Sequence, residues 1–338
     1  MKLTTFAAAM TLGMSAAILG GQAGAVTLTQ AAINPDNQWT EVQGSQRFME
    51  CVKAATNGSI DFNYFHSGQL GNSADSLELL TNGLAQISFV NLSSVPERLP
   101  LANISLLPNM GGNVREMVDA FRVVLAGDGP IAQEIRNAGI TPLYLNVFPP
   151  YQMMSRTKPL NEIGDFSGQK IRVAGSIQTF GMSSLNAVPV QIGFADIYLA
   201  MQQGTIDAFI FSSMPVKDYS LQEVTKAMSR NANFGTATGM VSISTATLEG
   251  LSEDEQKALL DCGKQVEDHL AEYADKTAAE LYDDFAASGI EVFEYSPDTM
   301  AEMQKLLHGA TEDLIARLTA QGLPAQAAYD EYVAALGK

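Results

Sequence analysis

The stretch AMQQGTIDAFIFS, residues 200–212, has the pattern of a helix end, a glycine and then an apolar strand that finishes on a polar residue. The same scheme occurs earlier in LLTNGLAQISFVN, residues 79–91, with the glycine in register. A repeated helix and strand unit of this kind indicates two domains of similar build. Ligands of open α/β sheets bind outside the carboxyl ends of strands, so Asn91, Phe211 and Ser212 mark a candidate binding edge.

The region before the first of these units alternates between strand and helix patterns. Strands are predicted at residues 26–32, 59–65 and 84–90, and helices at residues 40–56 and 73–83. Such alternation is typical of α/β units, and we expect their strands to be parallel.

A long helix is predicted near the carboxyl end. Ser252 and Glu255 form a capping box, and apolar residues then recur every three or four positions until Gly289. At ~1.5 Å per residue the helix is roughly 50 Å long, more than one domain needs, so it is expected to brace both. A strand at 290–295, a helix opened by Ser296 and Pro297, and a helical tail follow.

The first 25 residues have the composition of a cleaved export signal. Lys2 is their only charge, residues 6–20 are apolar or small, and Ala23-Gly24-Ala25 fits a cleavage site. No later segment reaches the roughly twenty apolar residues that a membrane span needs. We therefore expect a protein exported to the periplasm, with no direct insertion into the membrane.

The composition limits the classes of partner. A chain of 338 residues with 46% hydrophobic residues can bury the cores of two domains. Its net charge of −17 repels nucleic-acid backbones and anionic lipid surfaces, so neither is an expected partner. Cationic side chains are scarce, which makes each buried arginine informative.

Cys51 and Cys262 are the only cysteines of the sequence. An exported protein permits a disulfide between them, but both lie on apolar helix faces, where buried free thiols are at least as common. The sequence alone leaves the two alternatives open.

The motifs of enzymes and cofactor sites are missing. His66, His269 and His308 lack metal-ligand spacing, and there is no GxSxG, CxxC or Walker sequence. GDGPIA, residues 127–132, has the glycine spacing of a dinucleotide motif but follows a helix instead of a strand, so it is interpreted as a helix-to-helix turn. We expect no catalytic residues, no metal and no cofactor.

An arginine interrupts the apolar strand pattern of SGQKIRVAGS, residues 167–176. Burying the guanidinium of Arg172 without an anionic partner would be costly. The partner is either a bound anion or a buried acid of the protein, such as Asp165 or Asp196.

Three blocks resemble the DctP-type solute-binding proteins of tripartite ATP-independent periplasmic (TRAP) transporters. They are TNGSIDFNYFHSGQLG at 56–71, KPLNEIGDFSGQKIRVAGS at 158–176 and VPVQIGFADIYLAMQQGTIDAF at 188–209. The resemblance covers nearly all of the chain after the signal and implies a two-domain α/β periplasmic binding protein, or Venus flytrap. It implies a domain I of residues 26–149 and about 232–265, a domain II of 150–231 and about 275–322, a bridging helix at 253–287 and a helical tail at 323–338.

The resemblance also implies the ligand site. Arg172 falls on the family's selectivity arginine, which takes the acidic group of the ligand in a bidentate salt bridge, as a planar guanidinium suits. Gln152 stands where some members have a second arginine, and Phe211 where many have asparagine, so we predict one acidic group on a compact or partly apolar body. A monocarboxylate is favoured and a small sulfonate is the alternative. The other implied contacts are Asn34, Trp39, Ser73, Asn91 and Phe194.

The function that the resemblance implies is transport. The loaded protein, expected to be a monomer and not an enzyme, would deliver a small organic acid to the TRAP permease in the membrane. Two other functions are weighed against it: a secreted hydrolase or lyase, which needs convergent titratable groups, and a binding protein that feeds a sensor.

Overall fold

The computed structural model describes residues 25–337, so the predicted export signal lies outside the described residues apart from Ala25. Within this range no helix is both long and apolar enough to cross a membrane. The strands of this range are β1 (Val26–Ala31), β2 (Ile60–Phe65), β3 (Ile87–Asn91), β4 (Ile140–Val147), β5 (Gln152–Ser155), β6 (Lys170–Val173), β7 (Val188–Gln191), β8 (Ala208–Phe211), β9 (Ala227–Ser229), β10 (Thr238–Ser244) and β11 (Glu291–Phe293).

Two sheets divide these strands. The first has the order β2-β1-β3-β10-β4 and the second the order β11-β9-β5-β8-β6-β7. The expected parallel pairing is found for β1 with β2 and β3, and for β6 with β7 and β8. Two strands for which no pairing was predicted from the sequence are antiparallel: β10 to β3 and β4, and β5 to β8 and β9. The sheets are mixed because β10 and β5 each insert between two strands that lie far from it in the sequence.

Helices cover the sheets and connect the strands. The loop from Gly127 to Gly129 joins two helices, Val114–Ala126 and Pro130–Asn137, which confirms the predicted helix-to-helix turn in place of a dinucleotide motif. The helices are α1 (Gln46–Ala55), α2 (Ser76–Thr81), α3 (Val114–Ala126), α4 (Pro130–Asn137), α5 (Ser176–Ser184), α6 (Ile197–Gln203), α7 (Thr245–Glu249), α8 (Glu253–Ala287), α9 (Pro297–Ala320) and α10 (Ala325–Ala335).

The repeated sequence unit forms equivalent structures in the two sheets. Gly83 follows α2 and Gly204 follows α6, each with a φ of +72°, a left-handed conformation that glycine adopts without steric penalty. The next strands, β3 and β8, end at Asn91 and Phe211. The repeat therefore brings the carboxyl ends of one central strand from each sheet to the same region of the molecule.

Helix α8 joins the two halves as predicted. Ser252 and Glu255 form the predicted capping box at its start, and the helix packs against α1, α3 and β4 before its last turns. Its last turns contact residues next to the second sheet: Asp284 accepts a 2.8 Å bond from Lys217, and the Tyr282 ring lies 5.7 Å from the Arg230 guanidinium. The helix thus touches both halves over its 35 residues.

A disulfide settles the alternatives left open for the cysteines. Cys51 of α1 and Cys262 of α8 are bonded, with their Cα atoms 5.8 Å apart. The bond fixes the amino-terminal half of α8 to the first sheet through α1.

Candidate functional site

Arg172 lies on β6, in the interior of the second sheet between β8 and β7. Its side chain is almost completely buried, with 1% of the residue exposed. The Nε atom donates to the backbone oxygen of Ile192 at 2.9 Å, and the guanidinium carbon lies 5.0 Å from the ring centre of Phe194 and 5.6 Å from that of Phe211. The two rings cover the cation and leave little room for water.

No carboxylate of residues 25–337 forms a salt bridge with Arg172. Asp165, one of the two internal partners considered from sequence, instead pairs with Lys158 at 2.8 Å. The buried Nη1 atom of Arg172 has no hydrogen-bond partner. The Nε atom is therefore fixed by a hydrogen bond, whereas the Nη1 atom has none.

Burial also affects the charge of this arginine. Desolvation lowers the pKa of Arg172 to about 10, and the nearby phenols of Tyr151 and Tyr219 oppose the shift. The side chain remains cationic at neutral pH. Burial raises the pKa of Tyr151 to about 12, so its phenol stays protonated and able to donate a hydrogen bond.

A cavity next to Arg172 lies between the two sheets. Its volume is about 30 Å³, room for only one or two water molecules, so the aromatic walls must move outward before an organic acid can enter. The first sheet and its loops contribute three carboxamides and the rings of Phe89 and Phe148, and the second contributes four aromatic rings that contact one another. The lining residues are Ile33, Asn34, Gln38, Phe89, Asn91, Phe148, Tyr151, Phe194, Phe211, Pro215, Tyr219 and Ala237.

The Asn34 carboxamide is fixed by hydrogen bonds beneath the cavity. Its Nδ2 donates to Thr40 Oγ1 and to Glu41 Oε1, both at 3.1 Å. Glu41 is fully buried and also accepts from Ser45 at 2.6 Å and from Tyr64 at 2.8 Å. Burial raises the pKa of Glu41, and these hydrogen bonds oppose the rise.

The Asn91 carboxamide is fixed through its oxygen, whereas the Asn34 carboxamide is fixed through its nitrogen. Its Oδ1 accepts from the Ser93 backbone at 3.1 Å and from the Ser93 hydroxyl at 2.9 Å, so its amide nitrogen is the group left for the cavity. The polar part of the cavity wall therefore offers neutral donors and acceptors, and the buried positive charge lies beside it.

The structure brings some of the sequence-predicted residues together and separates others. Asn34, Asn91, Phe194 and Phe211 line one cavity, with Arg172 under the last two. The three remaining residues are not in its lining: Gln152, Ser73 and Trp39. Their roles as ligand contacts stay predictions.

Each of these three residues has partners within the protein. Gln152 receives bonds from Ser229 and the Ala232 backbone and donates to the Ala232 oxygen at 2.6 Å. Ser73 donates to Ser94 at 2.7 Å. Trp39 packs edge-on against Phe148 at 5.3 Å, so it stands behind a lining residue.

Several lining residues were missed in the sequence, among them Gln38, Phe148 and Tyr219. Gln38 lies in the polar turn after β1, Phe148 directly follows β4, and Tyr219 is in the loop after β8. All three come after the carboxyl end of a strand, where ligands of open α/β sheets bind, and the aromatic rings of Phe148 and Tyr219 were the available signal.

Comparison with known proteins agrees with this architecture. Residues 31–317 match the model of the DctP family, bacterial extracellular solute-binding protein, family 7. The chain is 24% identical over 257 residues to the sialic acid-binding periplasmic protein SiaP of Vibrio cholerae, covering 75% of this chain and 78% of that protein.

Solved structures of TRAP solute receptors share the fold. DctP7 of Bordetella pertussis, a receptor binding pyroglutamic acid, superposes with a TM-score of 0.80 and 22% identity over 93% of this chain and all of that one. A marine metagenome TRAP protein in complex with 3-hydroxybenzoate gives a TM-score of 0.84 at 19% identity, covering 93% of this chain and 98% of that one. With the family model matched over most of its length, the chain belongs to the DctP family, whose members are solute-binding receptors of TRAP transporters and not enzymes.

Proposed function

We propose that this protein is the periplasmic receptor of a TRAP transporter for a small organic monoacid, with Arg172 as the residue that binds the acidic group. The observation that carries the proposal is a buried guanidinium with an unpartnered Nη1 and no carboxylate in salt-bridge contact among residues 25–337. A charged hydrogen bond to a carboxylate contributes about 1.5–3 kcal/mol net, and two parallel bonds fix the orientation of the acid.

The walls of the cavity support a monoacid over a dicarboxylate. Arg172 is the one cation in or beneath this part of the described structure, and the lining side chains carry no positive charge. A second carboxylate would be desolvated against phenyl rings and neutral amides, which is unfavourable. The aromatic rings of Tyr151, Phe194, Phe211 and Tyr219 suit a flat or compact apolar body. A small sulfonate is the alternative, because it offers the same single charge.

The working cycle follows from the position of the cavity. The residues 26–149 and about 232–265 form the first proposed domain, and 150–231 and about 275–322 form the second. An acid that contacts both would stabilise the closed arrangement through bonds made only there. The closed receptor, acting as a monomer, would then deliver the acid to the membrane permease.

Thermal unfolding of residues 26–338, stripped of ligand by refolding, tests the proposal. The panel contains benzoate, 3-hydroxybenzoate, pyroglutamate, dicarboxylates, sugar acids and small sulfonates. An acid at a hundred times its Kd should stabilise the protein by about 2.7 kcal/mol. We expect a monoacid to shift the Tm, and the shift to disappear in Arg172→Met.

The matched control is Arg317→Met, since Arg317 also lies over an aromatic ring, Phe180 at 4.8 Å, but on the surface. This variant should keep the shift. A monoacid whose shift survives Arg172→Met would overturn the assigned role, and an intact protein that responds to no acid would overturn the proposed function. Conversion of a bound acid to a product would instead favour a secreted hydrolase or lyase.

A further inference from the structure

Glu41 is a buried acid that Asn34 separates from the ligand cavity. It is not in the cavity lining, but Asn34 is, and Asn34 donates its amide hydrogens to Glu41 and Thr40. The hydroxyls of Ser45 and Tyr64 hold the other carboxylate oxygen at 2.6 and 2.8 Å. Glu41 is therefore clamped from several sides and is a fixed acceptor for Asn34.

The hydrogen-bond partners decide which end of the Asn34 amide faces the cavity. If the amide were turned over, Oδ1 would face the oxygens of Glu41 and Thr40 in place of Nδ2. The single hydrogen of the Thr40 hydroxyl is directed toward Gln38 Oε1 at 3.3 Å and Glu41 Oε1 at 3.2 Å, so it could donate to the turned amide only by giving up both contacts, and Glu41 would still face an oxygen. Two acceptors would then face each other, which is unfavourable, and the orientation with Oδ1 left for the cavity is strongly preferred.

We infer that Glu41 is a positioning residue which makes Asn34 present its oxygen to the ligand, and that the receptor therefore selects a monoacid bearing a hydroxyl or N–H group over one bearing only acceptors. The inference rests on the proposed function, because it concerns the part of the acid that Arg172 does not hold. Asn91, whose oxygen is occupied by Ser93, offers a donor and does not provide this selection.

The receptor should discriminate between two such acids because it is unfavourable to leave the desolvated Asn34 carbonyl without a hydrogen-bond donor. A ligand hydroxyl pairs with Asn34 Oδ1, whereas a methoxy group at the same place puts an acceptor against an acceptor. Sites built to hydrogen-bond a group reject analogues that lack it far more strongly than apolar pockets reject a size change.

The test compares Kd values for 3-hydroxybenzoate and 3-methoxybenzoate by titration calorimetry, with pyroglutamate and N-methylpyroglutamate as a second, non-aromatic pair. In the wild-type protein the donor member of at least one pair should bind roughly 10- to 100-fold more tightly. Asn34→Leu should bring that ratio to about one, since leucine forms no hydrogen bond with either member.

Glu41→Gln separates a positioning role from a merely structural one. The new amide can donate to Asn34 Oδ1, which allows the Asn34 amide to turn over and present Nδ2, so the donor preference should fall to about one or reverse. A structural role would change stability but not the ratio. The matched control is Glu134→Gln, because Glu134 is a carboxylate that accepts two backbone hydrogen bonds, from Leu101 and Ala102, away from the cavity. It should leave the ratio unchanged.

The outcomes distinguish this inference from the proposed function. Equal Kd values within both pairs, for acids whose binding is lost in Arg172→Met, would overturn the selection by Asn34 and leave the proposed function standing. A wild-type preference that survives Glu41→Gln would overturn the role of Glu41. If none of the four acids, nor any acid of the wider panel, binds to the wild-type protein, the proposed function itself falls.

Discussion

Arg122 and Arg172 are both arginines beside buried groups, but they differ in what the chain supplies to them. Arg122 of α3 donates to Glu267 at 2.7 Å and to Asp268 at 3.0 Å, and a third of its side chain remains exposed. Arg172 is more deeply buried and donates to the backbone oxygen of Ile192. The more exposed arginine pairs with two acids, whereas the more buried one forms no salt bridge with an acid within residues 25–337.

The difference separates an arginine that stabilises the fold from one that we propose to bind the ligand. Glu267 is itself useful to the fold, because its second oxygen accepts the backbone N–H of Leu145 on the edge strand β4 at 2.6 Å. Acidic residues outnumber basic ones by 37 to 20 in this chain, so a shortage of carboxylates does not explain the environment of Arg172. This environment of Arg172 supports the proposal that its anion is a bound ligand.

The largest expected effect is on ligand affinity. Arg172→Met should weaken binding of the best monoacid about 1,000-fold or more, because the carboxylate would enter a desolvated aromatic cavity without its counter-charge. Titration calorimetry measures the loss. Arg122→Met should change the same Kd less than about threefold, and a comparable loss in both variants would remove the distinction between the two arginines.

The next effect is on stability, and it belongs to Arg122. Arg122→Met leaves the buried Glu267 without its cation and should lower the free energy of unfolding by about 2 kcal/mol, a value reduced from that of a fully buried pair because Arg122 is partly exposed. Urea unfolding measures it. Combining the change with Glu267→Gln should recover part of the loss, and strictly additive losses would show that the pair is not coupled.

A smaller effect of opposite sign is expected for Arg172. Folding lowers the pKa of Arg172 to about 10, so the folded state holds that proton less tightly than the unfolded chain and the charge destabilises the ligand-free fold at neutral pH. Arg172→Met, similar in length but uncharged, should raise the unfolding free energy of the ligand-free protein by about 1 kcal/mol. A marked destabilisation in urea would place Arg172 with Arg122 as a structural residue.

The smallest expected effect is the pH dependence of binding. Arg172 carries its charge at all pH values below about 10, and a carboxylate ligand carries its own above about 4, so affinity should be flat from pH 6 to about pH 9. Affinity should fall as the pH rises through the pKa of Arg172 in the ligand-free protein, because a neutral side chain must take up a proton before it binds the anion. A step near pH 6.5, measured by titration calorimetry, would assign the charge of the site to a histidine instead.

The sequence predicted those parts of the fold that local patterns encode. The strand around Arg172, the capped helix α8 and the strand ends at Asn91 and Phe211 all follow from apolar spacing within one segment. The burial of Arg172 was predictable because apolar neighbours on both sides leave a central strand position no exposed face. The insertion of β10 and β5 was not, since the partner of a strand is chosen by tertiary packing among distant segments.

The site was predicted less completely than the fold. Gln152 and Phe211 are register partners on adjacent strands, yet Phe211 lines the cavity while the Gln152 amide bonds to the Ala232 backbone. That choice depends on the path of the 230–237 segment, which no local pattern encodes. The orientations of the Asn34 and Asn91 amides likewise depend on neighbours that only the folded chain assembles.

The disulfide between Cys51 and Cys262 has a consequence for survival in an environment that contains proteases. The two cysteines are 211 residues apart, so the bond closes a covalent ring that contains every strand from β2 to β10. A single cut in any loop of that ring opens the ring without dividing the molecule. A nicked receptor therefore keeps both sheets and the whole ligand site on one covalent molecule for as long as the disulfide remains oxidised.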